Sequence, residues 1–402
     1  MDSFKFMSSS LENLASYLPA YNIVKSMFPG IDNSQFQLLI RKGIFPYEYI
    51  DSRDKLYETA LPSKENFYSS LYDSSVSDED YNHAQNVWNA FNIKNLMEYA
   101  ELYMKIDILL LAEIFERFRD QCLEAYKLDP AHYFTSPGLS WDAMLKYTKV
   151  KLELLTDIDK VLFIEKGIRG GISQCSNRYA KANNKYLGDR YRKDEESSYL
   201  IYLDANNLYG WAMNQYLPTG GFEWVSPNTN FNVPDDSKFG FILQVDLEYP
   251  SYLHDKHNDL PFCPEHSKPE DSKQPKLLNT LYPKKNYIIH YRNLKQALAN
   301  GLILKRVHKV LKFNQSPWLK PYIDFNSSMR AQATNEFEKN FCKLMNNSVY
   351  GKTMENVRKH KDVRLVTKWQ GRYGLEALIS KPNFHSRAIF AEDLVAVEMN
   401  KT

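Results

Sequence analysis

The stretch KLMNNSVYG, residues 343–351, closes a run from residue 330 to 350 that contains neither glycine nor proline. Phe337, Phe341, Leu344 and Met345 recur there at steps of three and four, as one apolar face of a helix does. Lys339, Lys343, Asn347 and Tyr350 follow at steps of 4, 4 and 3 and share a second face. Two ammonium groups, an amide and a phenol in one row suit a triphosphate and a base. The lysines act as point charges for phosphate oxygens. The tyrosine offers a ring for stacking and a hydroxyl for a hydrogen bond. Gly351 offers a turn where another backbone or a nucleic acid comes close. An amphipathic helix with a solvated basic face has the same spacing, so the rest of the chain decides between them.

At 402 residues the chain can hold two or three domains and a large core. Its formal charge of +2 excludes a strongly basic tail protein but leaves room for local nucleic-acid-binding patches. The 28 tyrosines fit base stacking or a tyrosine-rich surface. Cys122, Cys175, Cys263 and Cys342 form no paired motif and read as reduced intracellular thiols. Cys263-Pro-Glu-His266 lacks the second ligand pair that a zinc site needs. No apolar run reaches membrane-spanning length, and the N-terminus lacks the apolar core of a signal peptide. The cell compartment (nucleus, organelle or viral replication site) is not decided by these features.

Residues 1–135 read as helical and loop-rich. Ser8-Ser9-Ser10 before Leu11 and Glu12 predicts a helix cap. Residues 63–77 read as a turn-prone connection. Residues 95–126 predict a long helix that carries Tyr103-x3-Asp107, a phenol and a carboxylate one turn apart. A metal-binding aspartate beside a water-orienting tyrosine is the chemistry of two-metal phosphodiester hydrolysis. The same two residues also fit an ordinary helix with one charged position. Residues 134–148 predict a Pro-Gly turn and a short helix, and residues 161–171 a strand closed by Gly170 and Gly171. Beyond them, Arg178, Lys181, Lys185, Arg190, Arg192 and Lys193 alternate with Tyr179, Tyr186 and Tyr191. That mixture fits a single-strand track, with cations for phosphate and rings for bases. A solvated basic loop fits it equally.

Residues 199–203, YLIYL, predict a buried strand ending at Asp204. A carboxylate at the end of such a strand needs a positive partner, and a hard cation such as Mg²⁺ supplies one. Val245-Asp246-Leu-Glu-Tyr249-Pro250 predicts a strand and turn, and Asp157-Ile-Asp159 a loop. Residues 255–276 are polar and loop-like. A helix is expected over 287–301 and a strand after it. Lys284, Lys285, Arg292, Lys295, Lys305, Arg306 and Lys309 fit either a DNA-lining surface or a solvated face. Residues 352–368 read as basic and strand-like, and 388–399 as a single strand.

Lys343-x3-Asn347-Ser348-x-Tyr350-Gly351 resembles motif B of the family B DNA polymerases, closest to the protein-primed branch that includes Polinton/Maverick transposon enzymes. Asp204, Leu208 and Tyr209 resemble motif A, with Asn207 for the family's serine and Gly210 for its proline. The resemblance implies an α+β multidomain fold. It divides into the C-terminal part of a 3′–5′ exonuclease-like domain (1–135), a palm with motif A (136–221) and a palm insertion (222–318). The fingers with motif B (319–355) and a second insertion with the start of a returning palm strand (356–402) complete it, without a thumb. It implies that Asp204 and the Ala205 carbonyl bind catalytic Mg²⁺, and that Tyr209 excludes the ribose 2′-hydroxyl. Lys339 and Lys343 would neutralise the triphosphate of a dNTP. Asn347, Tyr350 and Gly351 would shape the pocket for the nascent pair. Tyr103 and Asp107 resemble the third exonuclease motif. Gly170 and Gly171 match the glycines of a template-contacting Tyr-x-Gly-Gly element, with Ile168 in place of its tyrosine. Arg178, Tyr179 and Lys181 would extend that DNA contact.

A polymerase palm also needs a second aspartate to hold two metals about 4 Å apart. The family supplies it from an Asp-Thr-Asp motif after motif B, and nothing after Gly351 matches. The first two exonuclease motifs are not found either, which predicts no proofreading by this chain. It also suggests that Met1 is an internal methionine of a longer reading frame. The partners implied are primer-template DNA, dNTPs and a terminal priming protein, with no membrane. Two functions follow. One is a DNA-directed DNA polymerase of which this chain is a fragment without the Asp-Thr-Asp motif. The other is a nucleic-acid-binding remnant of a mobile element without catalysis.

Overall fold

Ser10 opens the first helix, as the serine run predicts. In the computed structural model, which describes residues 2–205, 207–269, 272–356 and 359–400, its hydroxyl accepts the N–H of Asn13 at the start of α1 (Leu11–Ser16). α2 (Asn22–Met27), α3 (Asn33–Leu39) and α4 (Asp78–Ala90) follow. The long predicted helix is α5 (Leu96–Tyr126), capped by Asn95. α2 has no cap of its own. Instead the buried carboxylate of Glu113 on α5 accepts the N–H groups of Asn22, Ile23 and Val24 at 2.9, 2.6 and 3.1 Å. An anion at a helix N-terminus satisfies donors that the helix itself cannot.

α6 (Ser136–Thr148) takes Pro137 and Gly138 into its first turn, where the missing proline N–H is harmless, so the expected turn there is part of the helix. α7 (Ile158–Gly167) replaces the strand expected over 161–171. Asp157 decides the matter: its carboxylate accepts the N–H groups of Asp159 and Lys160. Asp157-Ile-Asp159 is therefore a helix cap and not a loop. α8 (Leu208–Met213) takes in the second half of the motif A stretch.

Residues 199–203 do not form the expected strand. Their side chains are 58% to 93% exposed, and no strand edge among the described residues pairs with them. Strand formers need a neighbouring edge to hold their backbone, and local propensity alone does not supply one.

The main sheet is antiparallel. It is built from β1 (Leu217–Val225) and β2 (Phe239–Glu248), then, after α9 (His254–His257) and the small hairpin β3 (Glu265–Ser267) and β4 (Lys276–Leu278), from β5 (Lys284–His290), α10 (Tyr291–Ala299) and β6 (Ile303–Ser316). Its order is β1-β6-β2-β5. The strand over 245–248 and the turn at Pro250 fall where expected. The helix expected from 287 starts four residues later, because 287–290 pair with β2 and His290 caps α10. One face of the sheet packs Leu243, Val245, Ile289 and Val310 against Tyr291, Leu294 and Ala297. The other face takes Phe163 of α7 against Ile288 and Leu311.

The glycine-free run before motif B is two helices, not one. α11 (Lys320–Gln332) ends, and Asn335 caps α12 (Glu336–Thr353) by accepting the N–H of Glu338 at 3.0 Å. The largest core sets α12 in place. Phe341, Met345 and Val349 pack with Leu110, Ile114 and Phe118 of α5, Leu139 and Met144 of α6, Tyr322 of α11 and Met213 of α8. Each such burial contributes about 1.5–3 kcal/mol. Beyond it, β7 (Lys361–Val366), α13 (Leu375–Ile379), β8 (Phe384–Ala391) and β9 (Leu394–Asn400) make a three-stranded sheet, order β7-β9-β8. It has its own small core of Val366, Leu375, Leu378, Val395, Val397 and Met399. The single strand expected over 388–399 is thus a hairpin, turned at Glu392 and Asp393.

Candidate functional site

α12 carries the whole predicted row. Lys343 and Asn347 are exposed, Lys339 and Tyr350 half-buried. Lys339 donates to Glu336 at 2.7 Å, one turn back, so part of its charge is already used. Lys343 makes no ion pair with any described residue. Arg330, exposed on the last turn of α11, is likewise free of described ion pairs. Arg330, Lys339 and Lys343 line one cleft of about 390 Å³ with the amides of Asn207, Asn346 and Asn347. Three cations and three amides around one cavity suit a polyphosphate. Sequence reasoning missed Arg330, which lies on a different helix from the row it joins.

The floor of this cleft is locked from below. Buried Asn326 of α11 accepts from the Tyr126 hydroxyl of α5 and donates its amide to Asn346 Oδ1 of α12 at 2.7 Å. All three side chains sit where water cannot replace a lost partner, which makes the chain of bonds a rigid brace. On the outer side, Arg117 of α5 reaches Glu338 of α12 at 2.9 Å.

Motif A reaches motif B through its second half. Tyr209 of α8 stacks on Tyr350 of α12, with ring centroids 4.3 Å apart and planes at 25°. Asn207, in the left-handed region at φ +53°, turns the chain into α8 and places its amide at the cleft. That side chain folds so closely over Gly210 that a Cβ there would collide with it. The two departures from the family pattern, Asn207 and Gly210, are one packing unit. Gly351 makes no turn: it is helical and exposed, and the helix runs on to Thr353. A Cβ at Gly351 would meet nothing, so the space beside it is open.

Asp204 and Ala205 are both exposed, and Asp204 makes no hydrogen bond or ion pair with a described residue. The premise of a carboxylate buried at a strand end does not hold, because the strand is absent. Among the described residues no group of three or more His, Cys, Asp or Glu side chains could hold a metal ion. Asp204 thus stands outside any cluster of that size.

Upstream, Gly170 and Gly171 are exposed and outside any helix or strand, with nothing near a would-be Cβ. Arg178, Tyr179 and Lys181 are exposed on the loop that follows. Residues 183–198 form a loop pinned at its base by paired backbone bonds between Asn183 and Ser198. Its cations stand among Asp189, Asp194, Glu195 and Glu196, and Arg192 pairs with Glu195. The other basic set is largely committed within the fold. Lys284 is buried against Glu265 and Thr280, Lys295 pairs with Asp235, and Lys305 with Glu248. Only part of it is available to line DNA.

Tyr103 and Asp107 share one face of α5 as predicted. The Tyr103 hydroxyl lies 2.9 Å from that of Tyr47, and its ring stacks on Phe45. Burial raises the Asp107 carboxyl above the usual range, with Lys42 opposing at 3.9 Å. Asp107 Oδ1 is buried with no hydrogen-bond partner among the described residues. Lys42 and Tyr47 come from a segment far from α5 in sequence, and only tertiary packing brings them to it.

A family model described as DNA polymerase type B, organellar and viral, matches residues 1–368. A probable DNA polymerase of Podospora anserina is 23% identical over 240 residues, which are 59% of this chain and 18% of that protein. Phi29 DNA polymerase complexed with primer-template DNA and incoming nucleotide substrates superposes with a TM-score of 0.47 at 17% identity, over 91% of this chain and 50% of that one. The same enzyme complexed with single-stranded DNA gives 0.43 at 15% identity, over 100% and 52%. The chain spans about half the length of these solved structures and 18% of the fungal protein.

Proposed function

The chain belongs to the organellar and viral type B DNA polymerases, and we propose that it forms the nucleotide-selecting part of a protein-primed DNA-directed DNA polymerase. In this reading a primer 3′-hydroxyl, or a hydroxyl of a terminal protein, displaces pyrophosphate from a dNTP. The observation that carries the proposal is the Tyr209–Tyr350 stack beside a cleft with three cations. Arg330, Lys339 and Lys343 hold the triphosphate, and Asn347 and Tyr350 border the nascent pair. Tyr209 rejects the 2′-hydroxyl, held in place by the ring it stacks on. The open space at Gly351 lies toward the DNA. Gly170, Gly171, Arg178, Tyr179 and Lys181 contact the template. Residues 1–135 derive from the exonuclease side, 136–221 and 222–318 from palm and insertion, 319–355 from the fingers and 356–402 from a second insertion.

Asp204, with the Ala205 carbonyl, is the oxygen ligand this chain offers to Mg²⁺. No group of three or more possible ligands forms around it among the described residues, and no step is assigned to the metal. That same observation favours a second reading, in which the protein binds DNA and nucleotides without catalysis. Primer extension and DNA binding, measured on the wild type and on Asp204→Asn, separate the two. The polymerase reading expects Asp204→Asn to abolish extension and leave DNA binding nearly intact. Equal extension by both proteins overturns the role of Asp204. Binding without extension in the wild type favours the second reading.

A further inference from the structure

A second cavity lies against the same helix. It holds about 370 Å³ between α12, the N-terminal segment and α5. Its floor is apolar, with buried Met7, Phe118, Phe337 and Phe341 beside half-buried Leu14 and Leu344, and Tyr17 is half-buried at one side. Its rim is polar and exposed, made of Asn340, Lys343 and Asn347. Lys343 and Asn347 line this pocket and the three-cation cleft alike, so the two cavities share a wall.

We infer that this pocket takes an unpaired nucleobase, with the phosphate of the same nucleotide on Lys343. The volume lies within the range of small-ligand sites, about 300–1,000 Å³. Tyr17, the half-buried ring at the side, offers a face on which a base stacks, worth about 1–3 kcal/mol whatever its identity. Two amides on the rim present both donors and acceptors to a base edge. The ammonium of Lys343 has no acidic partner among the described residues and answers a phosphate. A purely apolar occupant such as an acyl chain leaves all three rim groups unused. The inference rests on the polymerase reading for one source of the base, the unpaired template strand ahead of the pairing position. A free nucleotide is the other source, and both share the same base-and-phosphate chemistry.

The test is photocross-linking of the full chain to a single-stranded oligonucleotide carrying 5-iodouracil, and separately to free 5-iodo-dUMP, with the sites mapped by mass spectrometry. Anisotropy reports oligonucleotide binding in parallel. The expected result is cross-linking at Tyr17, Phe337 or Phe341. Ser9→Trp, which fills the pocket from its half-buried edge, should lower that yield at least tenfold while oligonucleotide binding persists. Cross-links that persist at the same residues in Ser9→Trp overturn the inference. Tight oligonucleotide binding with cross-links only elsewhere overturns the inference and leaves the polymerase reading standing. Cross-linking by the free nucleotide without oligonucleotide binding supports the pocket and counts against that reading. No binding and no cross-link with either probe overturns both.

Discussion

The ring of Tyr209 lies over the ring of Tyr350, 4.3 Å between centroids, and joins two segments that sequence alone leaves unconnected. Such a pair is stabilising by about 0.5–1.5 kcal/mol beyond the area it buries. A double-mutant cycle of Tyr209→Ala and Tyr350→Ala in urea unfolding should return a coupling of that size. Tyr350→Phe should keep it, since the ring carries the contact. A coupling near zero would mean that the two residues act independently.

The three cleft cations are not equivalent. Lys343 and Arg330 are free of described ion pairs, while Lys339 shares its charge with Glu336. Lys343→Ala and Arg330→Ala should each weaken dNTP binding roughly 10- to 100-fold, as loss of a hydrogen bond to a charged group costs about 1.5–3 kcal/mol. Lys339→Ala should cost less, and Glu336→Gln should tighten binding slightly. Calorimetric titration at two salt concentrations checks this ranking, and the differences should shrink at high salt.

Asn326 is the middle of the Tyr126–Asn326–Asn346 brace. Asn326→Leu leaves a hydroxyl and an amide oxygen buried without partners, at about 1–3 kcal/mol each. Tyr126→Phe removes only one bond and should cost about 1 kcal/mol. Denaturant unfolding of both variants measures this difference. Stability unchanged in Asn326→Leu would show that the brace is dispensable.

His290 gives the fold a pH dependence. Burial chiefly, with the repulsion of Arg292, lowers its imidazole from the ordinary 6.5 to about 4, against the opposing pull of Asp235. Its neutral Nδ1 accepts the N–H of Arg292 at the start of α10. Between those two values the unfolded chain binds a proton that the folded chain refuses. Stability from this group is therefore full above pH 6.5 and falls as pH drops towards 4, by at most about 3 kcal/mol. Urea unfolding at pH 7 and pH 5 reads the slope. His290→Asn keeps a capping side chain and should flatten it.

The motif B row was legible because a helix lays residues three and four apart on one face, and no distant element alters that. The cap at Ser10 and the helix capped by Asn95 were legible for the same local reason. The misreadings share another cause. Val-Leu-Phe-Ile in 161–164 has strong strand propensity, yet one aspartate at 157 commits it to a helix. Residues 199–203 have the letters of a strand, but a strand exists only when another edge meets it. The hairpin at 392–393 turns on Glu392 and Asp393 without glycine, proline or asparagine, so its sequence shows only a weak break. Arg330, Lys42 and Tyr47 reach their sites only through tertiary packing. No spacing rule along one element finds them.

Asn207 and Gly210 have a consequence for reading related chains. A side chain at position 210 would press on the Asn207 amide and require it to move. The two positions should accordingly behave as a single inherited character, exchanged together or not at all. A relative with a larger residue at 210 should carry a shorter one at 207, and its cleft should lack the amide that Asn207 places there.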